Sequence, residues 1–101
     1  LKSYLCDMEK DLYLDQLDYF KGAQVLHSFE FVEPQEIKDE YFDVHVIHAI
    51  VICDYEGEET MLFYLDHGLE VTMEFEFMIP KQAKEQTAKD FSGIDIQWKN
   101  R

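Results

Sequence analysis

YFDVHVIHAIVICDYEGEETMLFYLDHGLEVTMEFEFMI, residues 41–79, carries the reading of the fold. Over residues 41–55, Phe42, Val44 and Val46 alternate with Asp43 and His45, after which Ile47–Cys53 is apolar on both faces, His48 apart. Alternation at a period of two marks a strand, and a strand apolar on both faces sits inside a sheet covered from both sides. Asp54-Tyr55-Glu56-Gly57-Glu58-Glu59 reads as a turn leading into a strand over 60–66, and Asp66-His67-Gly68 as a second short turn. Leu69–Ile79 then alternates without a break, with Val71, Met73, Phe75, Phe77 and Ile79 on one face and Glu70, Thr72, Glu74 and Glu76 on the other. The result is a three-stranded antiparallel meander.

Outward from this meander the pattern is mixed. Residues 3–21 place Leu5, Met8, Leu12, Tyr19 and Phe20 on one side at a helical period, and Lys21-Gly22 reads as the cap that ends a long helix. Val25, Phe29 and Phe31 then alternate with polar neighbours in a strand near 24–32 that Pro34 stops. The segment Pro34–Glu40 reads as a loop or a single helical turn. Pro80 opens a polar surface helix over 81–91 with Ala83, Ala88 and Phe91 to bury, and Ile94, Ile96 and Trp98 alternate in a last strand near 94–98. The expected fold is one α+β domain over residues 1–101, with the antiparallel sheet packed on the long N-terminal helix in two layers. Eight Phe, six Tyr and 47% apolar residues supply the core of a folded domain.

Charge is distributed very unevenly. The window Glu30–Glu76 holds fourteen acids against Lys38 alone, a local balance of −13 that equals the net charge of the whole chain. Such a field repels nucleic acid and anionic membrane and attracts basic surfaces. Direct nucleic-acid binding needs a basic footprint, which this stretch lacks. Uninterrupted apolar runs are far shorter than a membrane span, and no basic segment followed by an apolar run reads as a leader. Two cysteines, Cys6 and Cys53, read as reduced thiols in a cytoplasmic protein.

The chemistry-bearing residues do not form a recognisable catalytic signature. His45 and His48 lie three apart and point to opposite faces of a strand, so they do not share a metal, although Asp43 and His45 share a face. No spacing of the Cys-x-x-Cys or His-Glu-x-x-His type and no glycine-rich phosphate cradle occurs, so no cofactor or metal is implied and no catalytic residue is assigned. Cys53 lies in an apolar run and reads as a small hydrophobe.

Same-face residues on a strand lie about 6.8 Å apart, close to two phosphate steps along a nucleic-acid strand. The expected function is therefore an acidic interaction module, an inhibitor, immunity-type protein or regulator that masks a basic, nucleic-acid-binding partner. Asp54, Glu56, Glu58, Glu59, Glu70, Glu74 and Glu76 would steer the partner, with Leu62 and Tyr64 as apolar anchors beside them. The alternatives are a cone-shaped domain holding a small ligand near Tyr41, His45 and His48, and a structural homodimerisation domain.

Overall fold

The computed structural model describes Leu14 and residues 17–101. Its strands are β1 (Tyr19–Phe20), β2 (Ala23–Lys38), β3 (Val44–Tyr55), β4 (Glu59–Leu65), β5 (Val71–Phe77) and β6 (Lys99–Asn100), with one helix, α1 (Pro80–Asp90), between β5 and β6. All strand pairs are antiparallel, the sheet runs β1-β2-β3-β4-β5 in chain order, and β6 pairs with β2. From residue 17 onward the described chain is thus mostly antiparallel sheet, with one short helix near its C-terminal end.

This overturns the expected two-layer fold built on a long N-terminal helix. Most of residues 3–21 lie outside the described residues. Leu14 is helical, but no helix runs on to residue 21, because Tyr19–Phe20 is a strand paired with Gln24 and Ala23. Lys21 and Gly22 adopt φ of 53° and 82° and join β1 to β2 as a two-residue hairpin turn. A glycine that ends a helix and a glycine that completes such a turn need the same left-handed backbone, so the sequence signal is shared.

The first long strand also differs from expectation. It does not stop at Pro34 but continues to Lys38, so the segment 34–40 is neither a loop nor a helical turn along most of its length. Two irregularities make this possible. A bulge at Leu26 sets Val25 opposite Cys53 and Phe29 opposite Ile50, residues that belong to cores on opposite faces of the sheet. Farther on, Glu30 pairs with Ala49 and Gln35 with Ile47, which leaves Phe31–Pro34 opposite His48 alone. Proline is tolerated there because a bulged residue donates no ladder hydrogen bond. Past the bulge, Gln35–Lys38 and Val44–Ile47 form a hairpin arm, and Tyr41 and Phe42 stand exposed at its tip instead of starting β3.

β3 occupies the middle of the sheet, and both of its faces are covered. On one side Ala49, Val51 and Cys53 pack with Phe63, Leu65, Leu14, Leu17 and Phe20. On the other, Ile47, Ile50 and Ile52 pack with Leu62, Tyr64, Ala83 and Phe91, flanked by Phe29, Met73, Phe75, Ile96 and Trp98. The helix α1 closes this second face with Ala83, Thr87 and Phe91, a stripe at i, i+4 and i+8 that excludes the expected Ala88. Thr87 is buried without penalty because its hydroxyl donates to the Lys84 carbonyl at 2.8 Å. Pro80 lies in the first turn of α1, and the Gln82 side-chain oxygen accepts from the Met78 N–H at 3.0 Å and the Ile79 N–H at 3.4 Å. The expected final strand at 94–98 is irregular chain, and the pairing falls at β6 instead.

Candidate functional site

The acids divide into groups by their place on the sheet. Glu74 pairs with Phe63 and Glu76 with Met61, so both carboxylates stand on the face opposite α1. Glu59 lies on that face too, two residues before Met61. Glu59, Glu74 and Glu76 together line a groove of about 440 Å³ whose floor includes Met61 and Phe63 and whose rim includes Lys21 and Tyr55. Glu56 and Glu58 are exposed at the tip of the β3–β4 hairpin, where Glu56 and Gly57 adopt φ of 54° and 73° and the Glu58 N–H bonds the Tyr55 carbonyl at 3.0 Å. Asp54 is partly committed to that tip, its Oδ2 accepting from the Gly57 N–H at 3.0 Å. Glu70 is separate. It precedes β5 and is about 20 Å from Glu76 at the usual rise per residue of a strand. The seven acids are therefore six at one end of the sheet and one at the other.

None of these seven makes an ion pair with a described residue; the pairs among described residues are His45–Asp39 at 2.8 Å and Arg101–Asp18 at 3.9 Å. The lysines of α1 lie on the other side of the sheet, and Lys84 is held with its ammonium 5.9 Å from the Trp98 ring. Glu74 and Glu76 are exposed, and Lys21 is the one base among the described residues that line the groove.

Leu62 and Tyr64 are not anchors on this surface. Both have no exposed area and lie under α1, on the face opposite Glu74 and Glu76. Parity explains the error: Glu74 and Glu76 share their face with Met61 and Phe63, the strand partners that stand opposite them. Among the exposed apolar residues, Tyr41, Phe42, Val44 and Val46 lie on the hairpin arm and Val32 in the bulge, while Tyr19, Tyr55, Met78, Ile79 and Ile94 are exposed elsewhere.

A second concavity of about 510 Å³ lies on the α1 side, between the hairpin arm, β5 and the C-terminal end of α1. Tyr41 and His45 both line it, whereas His48 lines a small recess elsewhere, with its ring 5.3 Å from that of His67. His45 does not work with Asp43, as its strand position suggested. Its Nε2 meets Asp39 Oδ2 at 2.8 Å, and its Nδ1 meets the Thr72 hydroxyl at 2.5 Å. An ionised carboxylate only accepts, so Nε2 carries a proton and donates to Asp39, and in the neutral ring Nδ1 then accepts from the Thr72 hydroxyl. The hydrogen bond from His45 holds the Asp39 carboxyl below its ordinary value.

A hydroxyl, an imidazole and a carboxylate in series can activate a nucleophile. Around this chain, however, Glu40, Glu74 and Asp90 line the cleft against Lys38, and the negative end of the α1 dipole lies beside it. Such a setting opposes an oxyanion and favours a cation. Asp90 is engaged on one side, accepting from the Tyr64 hydroxyl at 2.6 Å and from Gln86 at 3.0 Å.

No family model matches the chain, and no curated protein or solved structure is similar to it. The geometry must therefore carry the reading alone. Cys53 offers no nucleophile, since burial pushes its thiol up to about 12. Among the described residues no three His, Cys, Asp or Glu side chains converge as a metal site, and no helix is long and apolar enough to cross a membrane.

Proposed function

We propose that this chain is a small acidic interaction module that docks on a basic surface of a partner protein and masks it. The partner of best-matched chemistry is a nucleic-acid-binding protein, and the module acts on it as an inhibitor, immunity-type protein or regulator in the reducing cytoplasm. One observation carries this reading: the acids of the hairpin tip and of the groove are solvent-facing and have no cationic partner within the described fold. Like charges held this close raise the energy of the free protein by a few tenths of a kcal/mol per neighbouring pair. A basic partner removes that cost and gains long-range steering at the same time.

The other readings have less to rest on. A ligand enclosed between helix and sheet finds that space filled by Leu62, Tyr64, Ala83 and Phe91. The open cleft keeps Tyr41 and His45 but not His48. A dimerisation domain built on Leu62 and Tyr64 loses both anchors to the core.

The test is affinity capture on the immobilised protein in parallel with a variant carrying Glu59→Lys, Glu74→Lys and Glu76→Lys. The expected partner is basic, elutes as salt is raised past physiological strength, is displaced by duplex DNA or RNA, and is lost with the variant. Partners that are neutral or acidic and hold on at high salt would remove the proposal.

A further inference from the structure

We infer that the outer edge of β5 takes up an extended, lysine- or arginine-rich segment of the partner as an added strand of the sheet. This rests on the proposed docking of a basic partner and specifies how the contact is made.

Among the described strands β5 is the last in the sheet order and pairs with β4 alone. Among the described residues no backbone hydrogen bond joins 71–77 to anything outside that pairing. An edge of this kind is a template for another strand, and proteins usually blunt it with lysine, proline or a bulge. Here the bulge at Thr72 affects only the start of the strand, and Glu74 and Glu76 are exposed beside the remaining open backbone.

These glutamates decide who can pair. In an antiparallel pairing, residues facing each other share a face, and across the bulge at Thr72 the groove face of β5 carries Val71, Glu74 and Glu76, while Thr72 turns to His45 in the cleft. A two-fold pairing of two β5 strands centred on residues 74, 75 or 76 then sets glutamate against glutamate, so a second copy is disfavoured there. A strand with basic residues at alternate positions meets them instead.

The surroundings extend the match to both faces of the added strand. On one side its side chains enter the groove of Glu59, Glu74 and Glu76 over Met61. On the other they reach the cleft beside Met73 and Phe75, with Asp90 behind. Lysine and arginine suit both, because their stems cover apolar surface while their heads reach carboxylates. Strand addition of this sort takes affinity from backbone hydrogen bonds and selectivity from the flanking pockets.

The experiment titrates the intact protein with a blocked peptide of alternating lysine and valine, as long as the seven residues of β5. A twin peptide of identical sequence and charge is N-methylated at every peptide nitrogen, so that it cannot build a ladder. Amide shifts and hydrogen exchange are read by NMR. The plain peptide is expected to shift residues 71–77, to slow exchange of the outward amides there, and to bind about tenfold or more tightly than its twin, the effect of a few backbone hydrogen bonds. Glu74→Gln with Glu76→Gln should weaken the plain peptide several-fold and leave the fold intact. Equal binding of the two peptides overturns strand addition while leaving charge-driven docking in place. Shifts centred on Glu56 and Glu58 do the same. If neither peptide binds and a basic partner is nevertheless captured, the edge is not the site; if neither binds and no basic partner is captured, both proposals fall.

Discussion

Asp39 shows how much one side chain organises in this fold. Its Oδ1 accepts from the N–H groups of Tyr41 at 2.8 Å and Asp43 at 3.0 Å, which shapes the tip of the hairpin arm, while Oδ2 takes the His45 Nε2 proton. Through His45 the tip is tied to Thr72 on β5, and the 510 Å³ cleft stays open beneath it. A carboxyl held below its ordinary value stabilises the fold above that value, and the contribution is lost as pH falls through the lowered one. Asp39→Asn keeps an oxygen for the two N–H groups but removes the charge facing His45. The variant should therefore be less stable than the parent at neutral pH, and the gap in urea midpoint should close in acid below the ordinary carboxylate value of 3.8. A gap that stays constant down to strong acid would show that the charge of Asp39 contributes nothing. This arrangement was out of reach from the sequence. Strand parity joined His45 to Asp43, two residues away, whereas the true partners are six residues back around a turn and twenty-seven ahead on β5.

α1 is the one helix described along its whole length, and its docking depends on one aromatic residue just past its end. Phe91, at 3% exposure, has its ring centroid 4.8 Å from that of Phe31 and 5.1 Å from that of Tyr64, and its N–H bonds the Thr87 carbonyl at 2.9 Å. Removing a ring of this size from a packed core costs about 3–5 kcal/mol. Phe91→Ala should lower the unfolding free energy by that amount and expose α1 amides to hydrogen exchange before those of β3. A loss below about 1 kcal/mol would mean that the helix is held elsewhere. The element was legible from the polar run after Pro80, and so was the central place of β3 from its apolar run at 47–53. The bulges were not. At Leu26 and Phe31–Pro34 the chain changes which parity faces which core, and a period-two reading carries on through them unaware. That is why Val25 and Phe29 looked like one face, and why Pro34 looked like an end. The misread end of the N-terminal segment has a related cause: Lys21-Gly22 serves a hairpin, and the covering of one sheet face falls to α1, whose narrow stripe of Ala83, Thr87 and Phe91 gives little amphipathic signal.

The distribution of charge over the molecule was legible as an excess of acid but not as a surface. Sequence order strings fourteen acids between residues 30 and 76, yet the fold sends Glu59, Glu74 and Glu76 to one groove, Glu56 and Glu58 to a hairpin tip, Asp39 to a histidine, and Asp90, from outside that window, to a buried tyrosine. Asp54, Glu56, Glu58, Glu59, Glu74 and Glu76 gather at one end of the sheet with no ion pair among the described residues, Glu74 and Glu76 about 6.8 Å apart, while Glu33, Glu36, Glu40, Asp43 and Glu70 stand exposed elsewhere. At that spacing repulsion acts inside a Debye length of about 30 Å at 10 mM salt, and it is partly screened at about 8 Å in physiological salt. Moving the free protein from the first condition to the second should therefore raise its melting temperature. A few tenths of a kcal/mol for each of several pairs sums to about 1 kcal/mol, which is about 4–8 °C for a domain of this length. The double variant Glu74→Gln with Glu76→Gln should begin from a higher melting temperature at low salt and gain less from the addition. If heat stability instead falls as salt is added from 10 mM, attractive pairs outweigh repulsive ones and the acids are structural. The partner complex must behave with the opposite sign, because screening weakens the contacts that replaced the repulsion. Measuring free protein and complex across the same salt series therefore separates charge retained for binding from charge that merely keeps a surface hydrated.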